Sequence, residues 1–168
     1  MISGTVAQDA LVWSDPFDIE LDWLDANGHL NMAYYHVMFD RTVDLALARI
    51  ECGDAYRDKH NASVFTVETH VVYRQEVRGD DKVRVSFRLL SRDAKRLHAY
   101  QTMVRCGDDE LVAICESLFV HVDLGLRRST PLPANVQALA DKMIAAQSAD
   151  GPAPLAGRHI ATLTPPPS

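Results

Sequence analysis

The apolar positions follow two different periods in the first third of the chain. Residues 17–25 alternate loosely between apolar and polar side chains and predict a first strand. From Asn31 the apolar residues recur at helical spacing as far as Ile50, and Gly53 marks the end of the pattern. This predicts a long helix with a wide apolar stripe, suited to lie against a sheet. The stripe consists of Tyr35, Met38, Phe39, Thr42, Val43, Ala46, Leu47 and Ile50.

After a short helix or turn at 54–60, four runs rich in β-branched and aromatic residues predict strands. They cover 62–77, 82–90, 96–105 and 110–122, and the last is nearly all apolar, which predicts a central position in the sheet. The links between them are short and turn-like, so neighbours in sequence are expected to pair antiparallel as a meander.

A second amphipathic helix is predicted after Pro133, with Val136, Ala140 and Ile144 among the residues on its apolar side. Beyond about residue 148 the chain is rich in proline and has little apolar periodicity. We therefore expect one domain over residues 1–148 and a flexible tail over residues 149–168.

This order of elements predicts an α+β fold in which an antiparallel sheet wraps the long helix, since no other element could bury the helical stripe. Such a sheet keeps one open edge, and pairing with a second copy of the chain would cover it. A homodimer or homotetramer is expected for this reason.

Composition narrows the class of protein. Of the 168 residues, 47% are hydrophobic and 24% charged, as in ordinary globular proteins. No run approaches the roughly 18 apolar residues of a membrane span, and the N-terminus lacks the features of a secretory signal. Three cysteines without a C-x-x-C pair favour a reducing cytoplasm over a disulfide framework, and seven scattered histidines give no metal-site spacing.

Charge is distributed unevenly along the chain. The net charge of −6 disfavours nucleic acid as a partner. Between Arg74 and Arg96, however, there are eight basic residues against four acidic ones. This stretch is either a solvated sheet face or a local binding site for the phosphates of a small anionic ligand.

The candidate chemistry lies at the start of the long helix, where five polar or flexible residues precede the apolar run. Asn31 has the residue type of an N-cap, and Gly28 allows a sharp bend. Asp25 then has no structural assignment except as a charge that complements the helix dipole. His29 either packs against the helix start or acts in a site. Nucleophile-elbow, dinucleotide-binding and Walker motifs are absent from the sequence.

The segment "DANGHLN" (25–31), in this order of elements, resembles the signature of the 4-hydroxybenzoyl-CoA thioesterase-like acyl-CoA thioesterases, which have the hotdog fold. The resemblance covers about residues 15–125. It implies that Asp25 acts as nucleophile or general base and that the backbone N–H of Met32 polarises the thioester carbonyl. It places Gly28, His29 and Asn31 around the substrate.

The resemblance implies hydrolysis of a small acyl-CoA without metal or other cofactor. Two alternatives are a non-catalytic acyl-CoA binding domain and a hotdog hydratase, although Gly28 stands where hydratases have proline. The chain also resembles the betainyl-CoA thioesterase branch of carnitine breakdown. A cationic acyl group of that kind would favour an aromatic face, and Trp23, Tyr34 and Tyr35 are nearest in sequence to Asp25. The residues expected to bind the CoA phosphates are Lys95, Arg96, Arg127 and Arg128.

Overall fold

The computed structural model describes residues 11–158, which form one antiparallel sheet and three α-helices. The helices are α1 (Met32–Arg49), α2 (Asp54–His60) and α3 (Ala134–Gln147). The strands are β1 (Val12–Trp13), β2 (Phe17–Asp18), β3 (Ala62–Tyr73), β4 (Lys82–Arg92), β5 (Arg96–Arg105), β6 (Leu111–Asp123) and β7 (Arg128–Ser129). Short 3₁₀ turns lie at Leu21–Trp23 and Ser148–Asp150.

The sheet has the strand order β1-β4-β5-β6-β3, while β2 pairs with β4 and β7 with β6. β5 and β6 are central, as the apolar composition of β6 predicted. β3 forms a free edge, and β6 is its neighbour in the order, with Ala62 opposite Asp123 and Tyr73 opposite Ala113.

The predicted meander is therefore wrong for β3, which pairs with β6 rather than with β4. The link after β3 is longer than the sequence indicated, because the strand ends at Tyr73 instead of residue 77. Residues 74–81 cross from one side of the sheet to the other. Val77 is fully buried on the way, and its carbonyl accepts a hydrogen bond from the Leu30 N–H at 2.8 Å.

The predicted first strand is also mostly wrong. The pairs Phe17–Val83 and Asp18–Lys82 hold β2 to β4, and the chain then turns at Leu21–Trp23. The physical reason is burial of Trp23, whose side chain enters the core beneath the start of α1. At this turn the chain leaves the sheet edge, and Asp25 comes to lie at the beginning of the helix.

α1 lies on one face of the sheet, and the predicted apolar stripe is its buried side. The C-terminal half of the stripe packs with β4, β5, β6 and α3, in a cluster that includes Leu47, Phe87 and Phe119. The N-terminal half packs with the other ends of the strands, in a cluster that includes Met38 and Met103. The α+β hotdog architecture expected from the sequence is confirmed.

Beyond α3, residues 151–158 lie against the sheet. The Tyr100 hydroxyl donates to the carbonyl of Pro154 at 2.9 Å, and the Gly157 N–H donates to a Glu116 carboxylate oxygen at 2.7 Å. The rest of the expected tail, 159–168, is outside the described residues. Among the described helices, none is long and apolar enough to cross a membrane.

Candidate active site

The segment 25–31 forms a tight turn closed by its own backbone. The Asp25 N–H donates to the carbonyl of His29 at 2.8 Å, and the Gly28 N–H donates to the carbonyl of Asp25 at 3.0 Å. Gly28 has φ +75°, a left-handed conformation that side chains with a Cβ adopt at a cost. The bend predicted at Gly28 is therefore present, and it brings His29 back beside Asp25.

The carboxylate of Asp25 is held by this turn. Its Oδ1 accepts hydrogen bonds from the backbone N–H groups of Asn27 at 2.8 Å and His29 at 3.2 Å. These two bonds hold the pKa of Asp25 below its ordinary value, so the group is ionised at neutral pH. The second oxygen, Oδ2, has a long contact of 3.5 Å with the Asn27 side chain. One oxygen is thus fixed, and the other is available to a ligand.

α1 begins directly after the turn, and Asn31 is its N-cap. The Asn31 side chain accepts a hydrogen bond from the Ala33 N–H at 3.0 Å. The backbone carbonyl of Asn31 accepts a hydrogen bond from the Tyr34 N–H at 3.0 Å. The N–H of Met32 is left as a first-turn donor at the positive end of the helix dipole. Such a donor suits an oxygen that gains negative charge during a reaction.

Asp25, Asn31 and Met32 line one cleft of about 600 Å³. The turn and the first residues of α1 form one side, and the end of β3 with the segment after it forms the other. Lining residues from the first side are Asp25, His29, Leu30, Asn31, Met32 and Tyr35. Lining residues from the second side are Tyr73, Arg74, Gln75 and Glu76.

Glu76 gives His29 a charged neighbour within the cleft. His29 Nε2 lies 3.1 Å from Glu76 Oε2, and the other oxygen of Glu76 accepts from Arg78. The bond from Arg78 holds the pKa of Glu76 below its ordinary value. The structure places His29 in the lining of the cleft with a carboxylate beside its ring, and its role in a reaction stays a prediction.

The three aromatic candidates lie in two different places. Tyr35 lines the cleft and contacts Tyr73 edge-on, with ring centroids 5.0 Å apart. Burial raises its pKa to about 12, so its hydroxyl is neutral. Trp23 and Tyr34 instead stack on each other at 5.1 Å, outside the set of residues that line the cleft.

The four predicted CoA-binding residues lie together, but far from Asp25 in the same chain. Arg96 pairs in register with Val120, and Arg128 with Asp123, so both lie toward the Ala62 end of the sheet. Lys95 is next to Arg96, and Arg127 next to Arg128. The cleft is at the Tyr73 end of β3, eight to eleven residues along the strand and so about 26–36 Å away at the usual rise per residue. Arg96 also forms an ion pair with Asp93 at 2.6 Å.

Most of the basic stretch from Arg74 to Arg96 is neutralised by nearby acids. Ion pairs join Arg78 to Glu76, Lys82 to Asp18, Arg84 to Asp109, and Arg92 to Asp141. Within residues 11–158, Arg74, Arg88 and Lys95 of this stretch form no ion pair, and of these three Arg74 is exposed and lines the cleft. The paired cations fit the solvated-face interpretation, whereas Arg74 is available to a ligand in the cleft.

Comparison with known proteins fixes the family. Residues 19–140 match the model of the thioesterase-like superfamily. The chain belongs to this superfamily. It is 36% identical over 124 residues to betainyl-CoA thioesterase of Pseudomonas aeruginosa, covering 71% of this chain and 78% of that protein.

A further relative agrees with this membership, and a solved structure shares the fold. L-carnitine dehydrogenase/betainyl-CoA thioesterase of Rhizobium meliloti is 34% identical over 142 residues, which are 82% of this chain but only 28% of that longer protein. A Staphylococcus aureus protein solved in complex with CoA has the same fold, with a TM-score of 0.84 at 22% identity, over 91% of this chain and 96% of that one.

The superfamily confirms the expected enzyme class, a thioester hydrolase acting on acyl-CoA. Sequence reasoning singled out Asp25, Gly28, His29, Asn31, Met32 and Tyr35, and the structure places all six at the turn and the cleft. Sequence reasoning did not single out Gln75 and Glu76, because they were assigned to the end of a longer strand. Within residues 11–158 no group of side chains is arranged to hold a metal ion.

Proposed function

We propose that this thioesterase hydrolyses betainyl-CoA to glycine betaine and free CoA. The observation that carries the proposal is one cleft in which the ionised Asp25 faces the N-terminus of α1. The 36% identity to a betainyl-CoA thioesterase, over most of both chains, supports the choice of acyl group.

In the proposed reaction the thioester carbonyl oxygen lies against the Met32 N–H. Attack on the carbonyl carbon turns this oxygen into an oxyanion, and the helix N-terminus stabilises the charge. A preorganised donor of this kind contributes roughly 10²–10³-fold to the rate.

Asp25 provides the electron pair in either of two routes. As a general base it takes a proton from water while the water oxygen attacks the carbonyl carbon. As a nucleophile its free oxygen attacks, and water then hydrolyses the mixed anhydride. In both routes the C–S bond breaks when the oxyanion collapses, and the CoA sulfur leaves as a thiolate. A positioned base contributes about 10²–10⁴-fold.

His29 and Arg74 have proposed binding roles in the same cleft. Glu76 orients the His29 ring from one side, which fixes the position of the imidazole beside Asp25. Arg74 is an exposed cation without an ion-pair partner in the described part of the chain, so it suits a phosphate of CoA.

We also propose that the active unit is a homodimer formed through the β3 edge, or a homotetramer built from two such dimers. A two-fold pairing of antiparallel β3 strands would bring the Ala62 end of one copy to the Tyr73 end of the other. The basic residues Lys95, Arg96, Arg127 and Arg128 would then approach the cleft of the second copy. This would reconcile their distance from Asp25 within one chain with a role in binding CoA.

We also propose a cytoplasmic location, because the three cysteines are free and free thiols persist in a reducing compartment.

Free-thiol release from a panel of acyl-CoA substrates tests the proposal. The panel contains betainyl-CoA, acetyl-CoA and 3,3-dimethylbutyryl-CoA, which replaces the betaine nitrogen by carbon and keeps the shape of the acyl group. We expect thiol release from betainyl-CoA with the highest kcat/KM of the three. Equal values for the two isosteres would reject the betaine assignment, and absence of thiol release from the whole panel would reject hydrolysis.

A further inference from the structure

A second cavity, of about 570 Å³, lies on the face of the sheet opposite α1, and it shares no lining residue with the cleft. Leu97 and Ala99 of β5 pack in the core with α1, so alternation along the strand turns the side chain of His98 to this other face. Residues 157 and 158 line one side of the cavity. The strand residues that line it include Glu68, His70, Ser91, His98, Glu116 and Leu118.

A one-residue bulge in β4 sets the position of Ser91. Leu89 pairs with Ala99, and the next pair is Ser91 with His98, so Leu90 is an extra residue in β4. Without the bulge, Leu90 would stand opposite His98, and the Ser91 side chain would point to the core side of the sheet. Bulges that re-aim a side chain in this way are frequent next to active sites.

Ser91, His98 and Glu116 form a continuous line of hydrogen bonds in the cavity. His98 Nε2 lies 2.6 Å from Glu116 Oε1, and Ser91 Oγ lies 3.4 Å from His98 Nδ1. The other oxygen of Glu116 accepts a hydrogen bond from the Gly157 N–H at 2.7 Å, which holds the carboxylate in place. An ionised carboxylate only accepts hydrogen bonds, so in the neutral imidazole Nε2 carries the proton and Nδ1 presents a lone pair to the Ser91 hydroxyl.

This line has the order of a nucleophile, a general base and the group that orients the base. The three side chains stand on neighbouring strands, β4, β5 and β6, which hold their relative positions more firmly than loops would. Ser91 is exposed, so a substrate can reach its hydroxyl. The distance from Ser91 to His98 is long for a hydrogen bond, and such catalytic bonds commonly tighten when a substrate binds.

We propose that Ser91, His98 and Glu116 form a second catalytic centre, which hydrolyses small carboxylic esters through an acyl-Ser91 intermediate. Ser91 Oγ attacks the ester carbonyl carbon while His98 Nδ1 takes the hydroxyl proton. The bond from carbon to the alcohol oxygen then breaks, and His98 returns the proton to the leaving alkoxide. Water attacks the acyl-serine with His98 again as the base, and the carboxylic acid and the free Ser91 hydroxyl are released.

The rest of the lining suits a small ester. Arg158 is exposed, lines the cavity and forms no ion pair within residues 11–158, so its guanidinium can bind the carbonyl oxygen as that oxygen gains negative charge. Leu118 stands opposite His98 in register and offers an apolar contact to the acyl group. The volume of the cavity lies within the range of small-molecule sites.

The test uses the full chain carrying Asp25→Asn, which removes the carboxylate on which the proposed chemistry of the cleft depends. A fluorophosphonate probe identifies the nucleophile, because the serine oxygen forms a bond to phosphorus, fluoride leaves and the base takes the hydroxyl proton. Peptide mass spectrometry then gives the labelling rates of Ser91 and of Ser148, the matched control. Ser148 is exposed and does not line the cavity. Turnover is measured as release of p-nitrophenol from p-nitrophenyl acetate.

We expect Ser91 to be labelled at least about tenfold faster than Ser148, and Ser91→Ala to reduce ester turnover to the background rate. His98→Ala should lower labelling and turnover about 10²-fold, and added imidazole should restore part of the turnover because it replaces the missing base. Glu116→Gln supplies an N–H donor to His98 Nε2, which moves the ring proton to Nδ1. In that variant kcat should fall while KM changes little.

Two results would overturn the proposal. One is labelling of Ser91 at the same rate as Ser148. The other is labelling of Ser91 at an unchanged rate in a His98→Ala protein that circular dichroism shows to be folded. Both results concern the sheet face opposite α1, so they leave the proposed hydrolysis of acyl-CoA at Asp25 to its own test.

Discussion

At the scale of single residues, the bonds that shape the turn at 25–29 also stabilise the ionised form of Asp25. The backbone N–H groups of Asn27 and His29 donate to one oxygen of the carboxylate and hold its pKa below the ordinary value. The turn therefore presents an ionised oxygen to the cleft at a fixed position relative to the Met32 N–H.

Replacing Asp25 by asparagine separates charge from shape. The asparagine oxygen can still accept the two backbone hydrogen bonds, so the turn and the fold should persist. The amide can neither take a proton from water nor attack the carbonyl. We expect kcat to fall at least about 10²-fold, measured by thiol release on the best acyl-CoA.

Asp22→Asn is the control for the Asp25 experiment. Asp22 is an exposed acid in the preceding 3₁₀ turn, three residues from Asp25, and it does not line the cleft. Its replacement should leave kcat within twofold. Circular dichroism should report the same fold for both variants. Near-wild-type turnover by Asp25→Asn would remove Asp25 from the mechanism.

At the scale of elements, the start of α1 is the part of the scaffold on which the site most depends. The Asn31 side chain satisfies the Ala33 N–H, and the first turn then holds the Met32 N–H toward the cleft. The cap thus contributes both to the stability of the helix and to the position of the oxyanion donor.

We expect Asn31→Ala to lower stability by about 1 kcal/mol, because the Ala33 N–H loses its acceptor. For a chain of this length that is a fall of about 2–4 °C in Tm. kcat should fall as well, since the first turn is loosened. Asn31→Ser retains a capping oxygen and should recover most of the Tm. Thermal unfolding followed by circular dichroism checks this, and an alanine variant as stable as wild type would contradict it.

The sequence predicted those elements whose periodicity is strong. α1, its N-cap and its buried stripe follow from 3.6-residue spacing and from the residue type of Asn31. β4 to β6 follow from runs rich in β-branched and aromatic residues, and the run of β6 is nearly all apolar. Strand pairing did not follow, because residues 74–77 were predicted as the end of a strand and 78–81 as a short turn, while the chain uses both to cross the sheet. Local pattern carries no information about which distant strand is the neighbour.

The contacts made by α3 give a second example of what the sequence could not predict. Gln147 is fully buried at the end of the helix, and its Oε1 accepts a hydrogen bond from the Leu89 N–H at 2.7 Å. The side chain thereby covers part of the edge of β4. A glutamine at the end of an amphipathic helix is usually exposed, so this role depends on tertiary packing alone.

At the scale of the whole molecule, β3 is an edge strand whose outer side pairs with no other strand within residues 11–158. It is a twelve-residue edge strand, and its exposed apolar residues include Phe65, Val67 and Tyr73, at 47%, 55% and 44% exposure. Long apolar edges promote association unless they are covered. A two-fold pairing through β3 would also bring basic residues of one copy to the cleft of the other, which links assembly to CoA binding.

The double variant Phe65→Lys/Val67→Lys tests this assembly. Two-fold pairing would place the new charges of both copies near one axis, where they repel each other, so we expect the dimer to dissociate to the 18.7 kDa chain. The monomer should retain its fold, but its KM for acyl-CoA should rise because the basic residues of the second copy are lost. Leu45→Lys, at an exposed leucine of α1, is the control and should stay dimeric. Light scattering at assay concentration gives the mass, and a monomeric wild-type protein with full activity would refute the dimer as the active unit.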